Sequence, residues 1–136
     1  MGVATYNLAS SISLISAQRL VRRLCVHCRT PVSVSSQSLK DLGLQTFTDQ
    51  AAPQHHFYSA QGCSQCHKGY WGRIGLFQVM PITAALQHLI LHNASGHELT
   101  AQAEKEGVNT LRHAGLLQAS MGITSLSEVL AHTDVT

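Results

Sequence analysis

No apolar run in this 136-residue chain approaches the roughly 18 residues that a membrane-spanning helix needs, so a helical integral membrane protein is excluded. Aromatic residues are scarce, at 5% against a hydrophobic share of 44%, which disfavours one large core and favours small modules. A formal net charge of only +2 is too weak by itself to imply a nucleic-acid or lipid partner. Also missing are a Gly-x4-Gly-Lys-Ser/Thr loop to cradle phosphates and an acidic strand end to hold magnesium, so the chain alone is not expected to hydrolyse ATP. The N-terminus from Met1 to Val21 lacks a basic leading segment, and Ser10, Ser11, Ser13 and Ser16 interrupt its apolar stretch. It does not read as a secretory signal.

Cysteine is sparse but patterned. Four residues form two matched pairs, Cys25-Val-His-Cys28 and Cys63-Ser-Gln-Cys66, with no fifth. A C-x2-C turn sets two sulfurs about one tetrahedral edge apart, so two such turns can close a four-thiolate shell around structural zinc, with bonds of roughly 2.3 Å. Cys25, Cys28, Cys63 and Cys66 are therefore the candidate ligands of a Zn²⁺ ion. Three other uses compete. Two disulfides or a c-type haem, which Cys63-Ser-Gln-Cys66-His67 spells, would require export, for which the N-terminus gives no support. A thioredoxin-like role for Cys25-Val-His-Cys28 would leave the second pair unexplained, and no alternating strand and helix pattern surrounds it.

Leu14, Ala17, Leu20, Val21 and Leu24 recur at helical spacing, with Leu8, Ile12 and Ile15 widening the stripe, so an amphipathic helix is predicted over Leu8–Leu24. Arg19, Arg22 and Arg23 would fall on its solvated face. Between Arg29 and Gln61 the chain turns polar, with Pro31, the Ser33–Ser38 cluster, Pro53 and His55-His56. One capped helical turn is expected over Ser38–Gly43 and loop elsewhere. Such a stretch buries too little apolar surface to offset its ordering entropy, so a metal must organise it. The aromatic and β-branched run Gly69–Val79 predicts a strand or hairpin leaving the second pair. Lys68, Arg73, Arg23 and Arg29 are placed to offset the two net negative charges of a zinc tetrathiolate.

The tail reads as four short helices. The first follows Pro81, with Leu86, Leu89 and Ile90 on one face; Ser95-Gly96-His97-Glu98 is a capping box opening a helix that Gly107 closes. Leu111–Met121 ends at Gly122, and a second box, Ser125-Leu126-Ser127-Glu128, opens Leu126–Leu130. Asn93-Ala94-Ser95, although a glycosylation triplet, reads as a helix boundary. His88, His92, His97, His113 and His132 fall on these helices as exposed or hydrogen-bonded side chains rather than as a second metal site, and His27 is expected to point outward. The fold class expected is α+β, mainly α: an N-terminal helix over 1–24, a zinc-knuckle module with loops and short strands over 25–80, and a helical bundle over 81–136.

Asn7 to Cys28, ending Gln18-Arg19-Leu20-Val21-Arg22-Arg23-Leu24-Cys25-Val26-His27-Cys28, resembles the segment of type II secretion and type IV pilus assembly ATPases, the GspE/PilB type, where the ATPase core passes into a metal-binding insert. Gly62–Cys66 and Gly69–Met80 are similar to the second half of that insert and its exit strand. Gly107–Arg112 and Gly122–Leu130 match the closing helical region. The chain departs from the family in a shorter link between Cys66 and Gly69, and in His67, which stands where it could compete for the metal. The resemblance implies the C-terminal region of a cytoplasmic hexameric motor, peripheral at the inner membrane. Its ATP and Mg²⁺ would be held by an upstream ATPase core, and its movement passed to an inner-membrane platform protein. From another class, a free-standing zinc ribbon that binds nucleic acid would need a continuous basic surface and exposed aromatics, which the three Tyr, three Phe and one Trp scarcely supply.

Overall fold

The structure, a computed structural model, describes residues 2–42 and 57–133. Elements run α1 (Thr5–Ser11), β1 (Leu14–Leu24), β2 (Thr30–Val32), α2 (Ser36–Asp41), β3 (Phe57–Ser59), β4 (Tyr70–Pro81), α3 (Ala84–Leu91), α4 (Gly96–Lys105), α5 (Leu111–Ser120) and α6 (Leu126–His132). The mixture of helices and small sheets is the α+β class expected from the sequence. β1 pairs with β4, and β2 pairs antiparallel with β3 in the register Thr30–Ser59, Pro31–Tyr58 and Val32–Phe57.

One expectation is overturned. The helix predicted over Leu8–Leu24 is a two-turn helix ending at Ser11 followed by an 11-residue strand. The residues with least exposure along β1 are Ala17, Val21 and Leu24, which do follow the helical spacing that drove the prediction. In a strand, however, Val21 and Leu24 face opposite sides, and both are buried. The backbone of β1 finds its hydrogen-bond partner in β4, far along the chain, and that long-range pairing outweighs a local periodicity shared by both conformations. Arg19, Arg22 and Arg23 therefore lie along a strand and not on one helical face.

The other elements follow local signals closely. Ser95 accepts from the Glu98 amide while the Glu98 carboxylate accepts from the Ser95 amide, a complete capping box. Gly107 and Gly122, with φ of +87° and +75°, leave the ends of α4 and α5 in the left-handed region. Asn93, at φ +54°, lies just past α3 as a helix boundary. The helical turn expected at Ser38 begins earlier, with Ser35 as its cap accepting from the Ser38 amide; Gly43, Pro53 and His55-His56 lie outside the described residues. The polar stretch also contributes β2, exposed throughout, and β3, which buries Phe57; at three residues each they are too short to announce themselves in sequence.

The chain divides into two units. One comprises Met1–Gln18 and Phe77–Thr110, where α3 packs on α1 and α4 around fully buried Leu86, with Ala9 and Ala103. The other comprises Arg19–Leu76 and Leu111–Val135, with Leu39, Phe57, Leu116, Ala119 and Val129 as its core and Val34, Leu42 and Leu126 against it. The four cysteines belong to this second unit. No helix among the described residues is long and apolar enough to cross a membrane.

Candidate metal centre

Cys25 enters the site directly from the end of β1. Its amide donates to Gly69 O at 2.9 Å, and the Arg29 amide closes the turn on Cys25 O at 3.1 Å. The second pair sits on a loop that needs glycine: a Cβ on Gly69, whose φ is +94°, would fall 2.6 Å from the Ala60 Cβ. With Lys68 also left-handed at φ +54°, the short link after Cys66 becomes a tight turn, closed by paired hydrogen bonds between His67 and Tyr70. This turn returns the Gly69 amide to Cys66 Sγ at 3.3 Å.

All four sulfurs lie within 4.8 Å of one another. Cys25–Cys63 is 3.8 Å, Cys28–Cys66 3.7 Å and Cys63–Cys66 3.6 Å. A regular tetrahedron of sulfurs around zinc has edges of about 3.8 Å, so the cluster has the dimensions of a four-coordinate metal shell. Backbone amides are aimed at the sulfurs from Gly62 to Cys28, from Cys63 and Gly69 to Cys66, and from Gln65 to Cys63, at 3.3 to 3.4 Å. N–H groups pointed at sulfur favour thiolate.

The charge is not shared evenly. Burial opposes ionisation of Cys66, but the Cys63 and Gly69 amides and the neighbouring thiols outweigh it and bring the group down to about 7. At Cys63 the Gln65 amide pulls the other way, yet burial and the surrounding thiols push it up to about 12. Burial likewise raises Cys28. Clustered thiols resist carrying several negative charges at once, which is the condition a divalent cation relieves.

His67 is exposed and does not join the sulfur group, and His27 is exposed as expected. Among the described residues no tail histidine joins a group of three potential ligands; His88 and His92 instead stack with ring centroids 4.1 Å apart. Of the cations expected beside the centre, Arg23 and Arg73 line a shallow recess that includes Cys25 and Trp71. Arg29 is committed elsewhere, donating to Gly122 O at 2.7 Å and lying over the Tyr58 ring.

Sequence reasoning missed the ion pair beside the site. Glu128, 4% exposed, was legible only as the second half of a capping box. Ser125 does accept from the Glu128 amide, but the carboxylate turns to Arg22, accepting from its backbone N at 3.0 Å, Nε at 2.9 Å and Nη2 at 2.6 Å. Arg22 also lies 4.1 Å from the centroid of the Tyr70 ring, and the Tyr70 hydroxyl is bonded to Ser125 Oγ. Burial works against ionisation of Glu128, but the Arg22 hydrogen bonds prevail and hold its carboxyl below the usual range. A depressed carboxylate contributes stability above its unfolded value near 4.5, which is lost as the pH falls through the folded value. Glu128→Gln is expected to cost about 1–2 kcal/mol at neutral pH, an amount discounted for the half-exposed Arg22, and progressively less below pH ~4. Urea midpoints of the two proteins across pH 3–7 measure this, and a constant gap would contradict it.

Comparison with known proteins agrees along nearly the whole chain. The family model described as "Type II/IV secretion system protein" matches residues 1–131. The type IV pilus assembly ATPase PilB of Pseudomonas aeruginosa is 45% identical over 129 residues, which is 95% of this chain and 22% of the relative. PilB of Acinetobacter baylyi is 42% identical over 129 residues, again 95% and 22%. The type II secretion system ATPase E of Vibrio cholerae is 34% identical over 134 residues, 98% of this chain and 25% of that protein. The chain thus spans about a quarter or less of these relatives' length.

Proposed function

Because this chain belongs to the type II/IV secretion system protein family, we propose that it is the C-terminal zinc-binding region of a hexameric traffic ATPase powering type IV pilus assembly or type II protein secretion. The observation that carries the metal assignment is the set of sulfur separations near 3.7 Å among Cys25, Cys28, Cys63 and Cys66. An all-sulfur tetrahedral donor set suits zinc, and four protein ligands leave no open position for chemistry. When bound, Zn²⁺ supplies cross-linking and charge neutralisation. The chain's own contribution is to aim four sulfurs and their amide donors at one point.

In this reading residues 25–80 are the metal module and residues 81–136 the helical region. Catalysis resides upstream, where ATP and Mg²⁺ bind. Two partners follow: the ATPase core of the same protein, and the inner-membrane platform protein, which would receive movement through the zinc module acting as a rigid arm. Support for the first comes from large apolar side chains left exposed: Leu14, Phe77 and Val79 in one unit and Leu20 in the other. The protein would work at the cytoplasmic face of the inner membrane, and no nucleic acid is involved.

The test is the complete protein with Cys25 and Cys28 both replaced by serine. Loss of stoichiometric zinc together with loss of pilus or secretion output is expected. Zinc content and output both at wild-type level would refute the proposal.

A further inference from the structure

We propose that the Gly122–Ser125 turn between α5 and α6, together with Glu128, positions the first cysteine pair, so that metal affinity at the four-cysteine centre is set partly by the last helix of the chain. The inference rests on the metal reading above and adds to it the residues that hold the ligands in place.

The turn grips the chain on both sides of Cys25–Cys28. Before the pair, Thr124 Oγ1 donates to Arg22 O at 2.8 Å and the Leu24 amide donates to Ile123 O at 2.8 Å. After it, Arg29 Nη1 donates to Gly122 O at 2.7 Å. Three consecutive residues of one turn therefore fix the entrance and the exit of a four-residue knuckle. Glu128 adds its three hydrogen bonds to Arg22, three positions ahead of the first ligand. Much of the grip is buried, with Thr124, Leu24, Cys25 and Glu128 all at 4% exposure or less, and the Arg22 side chain half-exposed at its edge.

The same turn also reaches the second pair. Ser125 Oγ is 2.8 Å from the Tyr70 hydroxyl, and Tyr70 follows Gly69, whose carbonyl accepts from Cys25 and whose amide donates to Cys66 Sγ. A cysteine on an unrestrained loop must lose conformational entropy when it binds, and that loss is subtracted from metal affinity. Where the backbone on either side is already fixed, less is lost. Linkage makes the effect mutual: whatever the turn adds to metal binding, bound metal adds to the stability of the turn and of α6.

The experiment uses the whole chain, reduced, competing for Zn²⁺ with a chromophoric chelator. Glu128→Gln keeps the side chain's size and removes its charge; Thr124→Val keeps shape and removes the hydroxyl, and serves if the first variant folds poorly. Arg112→Gln is the control, because it breaks the Arg112–Thr133 hydrogen bonds at the far end of the same helices without touching the grip. Both test variants are expected to lower zinc affinity by about 10-fold or more, and Arg112→Gln by less than about 3-fold. Visible bands of the Co²⁺-loaded protein should shift in Glu128→Gln alone of the two glutamine variants.

Wild-type affinity and an unchanged cobalt spectrum in both test variants would overturn the inference. So would an equal loss in Arg112→Gln, which would reduce the effect to general stability. Should the wild-type chain itself take up no stoichiometric zinc, the metal reading and this inference fall together. A loaded wild type with unaffected variants sinks the positioning role alone.

Discussion

Chelation of the metal is expected to unfold the segment that carries the second cysteine pair, with loss of amide protection at Gly62, Cys63, Gln65 and Gly69, the residues whose N–H groups point at sulfur. Little else holds this segment. Cys63, Ser64 and Gln65 are all exposed. Apparent binding energies of structural zinc run to about 10–16 kcal/mol near neutral pH, as large as the whole stability of a typical domain at about 5–15 kcal/mol. Metal-free protein should therefore retain α4, whose capping box depends on neighbours in its own sequence, and β3, which Phe57 anchors in the core, while the loop over 62–69 loses its order. Hydrogen exchange before and after dialysis against EDTA, with elemental analysis of the starting material, reads the outcome directly. Unchanged protection in protein that never held an ion would remove the metal from the account of this fold.

Gly122→Ala should be a damaging single methyl. The residue has φ +75°, and a Cβ would fall 2.7 Å from Tyr58 Cδ2 and 2.8 Å from Arg29 Nη1. Backbone strain of about 1 kcal/mol adds to overpacking of about 1–3 kcal/mol, because the guanidinium is bonded to the carbonyl of Gly122 itself and lies over the Tyr58 ring. A loss of roughly 3 kcal/mol is expected in the metal-loaded chain. Gly107→Ala provides the comparison, for its φ is +87° but nothing lies within 4 Å of its Cβ. It should cost only about 1 kcal/mol. Equal urea midpoints for the two variants would show that Tyr58 and Arg29 yield freely.

How much of this was legible follows from the range of each interaction. The four-sulfur cluster could be read because each pair needs only three residues of spacing, and the Ser95–Glu98 box because its two hydrogen bonds close within one turn. Gly69–Val79 announced a strand through its aromatic and β-branched residues. The same reasoning failed at Leu14–Leu24, where Ala17, Val21 and Leu24 suit a helix locally and a strand only once β4 is present. At Glu128 it found the cap, whose amide half forms with Ser125, but not Arg22 as the carboxylate's partner.

From the amino-acid sequence alone came the four sulfurs, the family and the ends of the tail helices, all properties of residues a few positions apart. Tertiary structure alone decided that the segment entering the first cysteine pair is extended, and that the Glu128 carboxylate turns from its own helix cap to Arg22, 106 positions away. In both cases the deciding hydrogen-bond partner is remote in sequence, and a buried backbone or carboxylate takes the partner that satisfies it most fully, whatever its neighbours prefer.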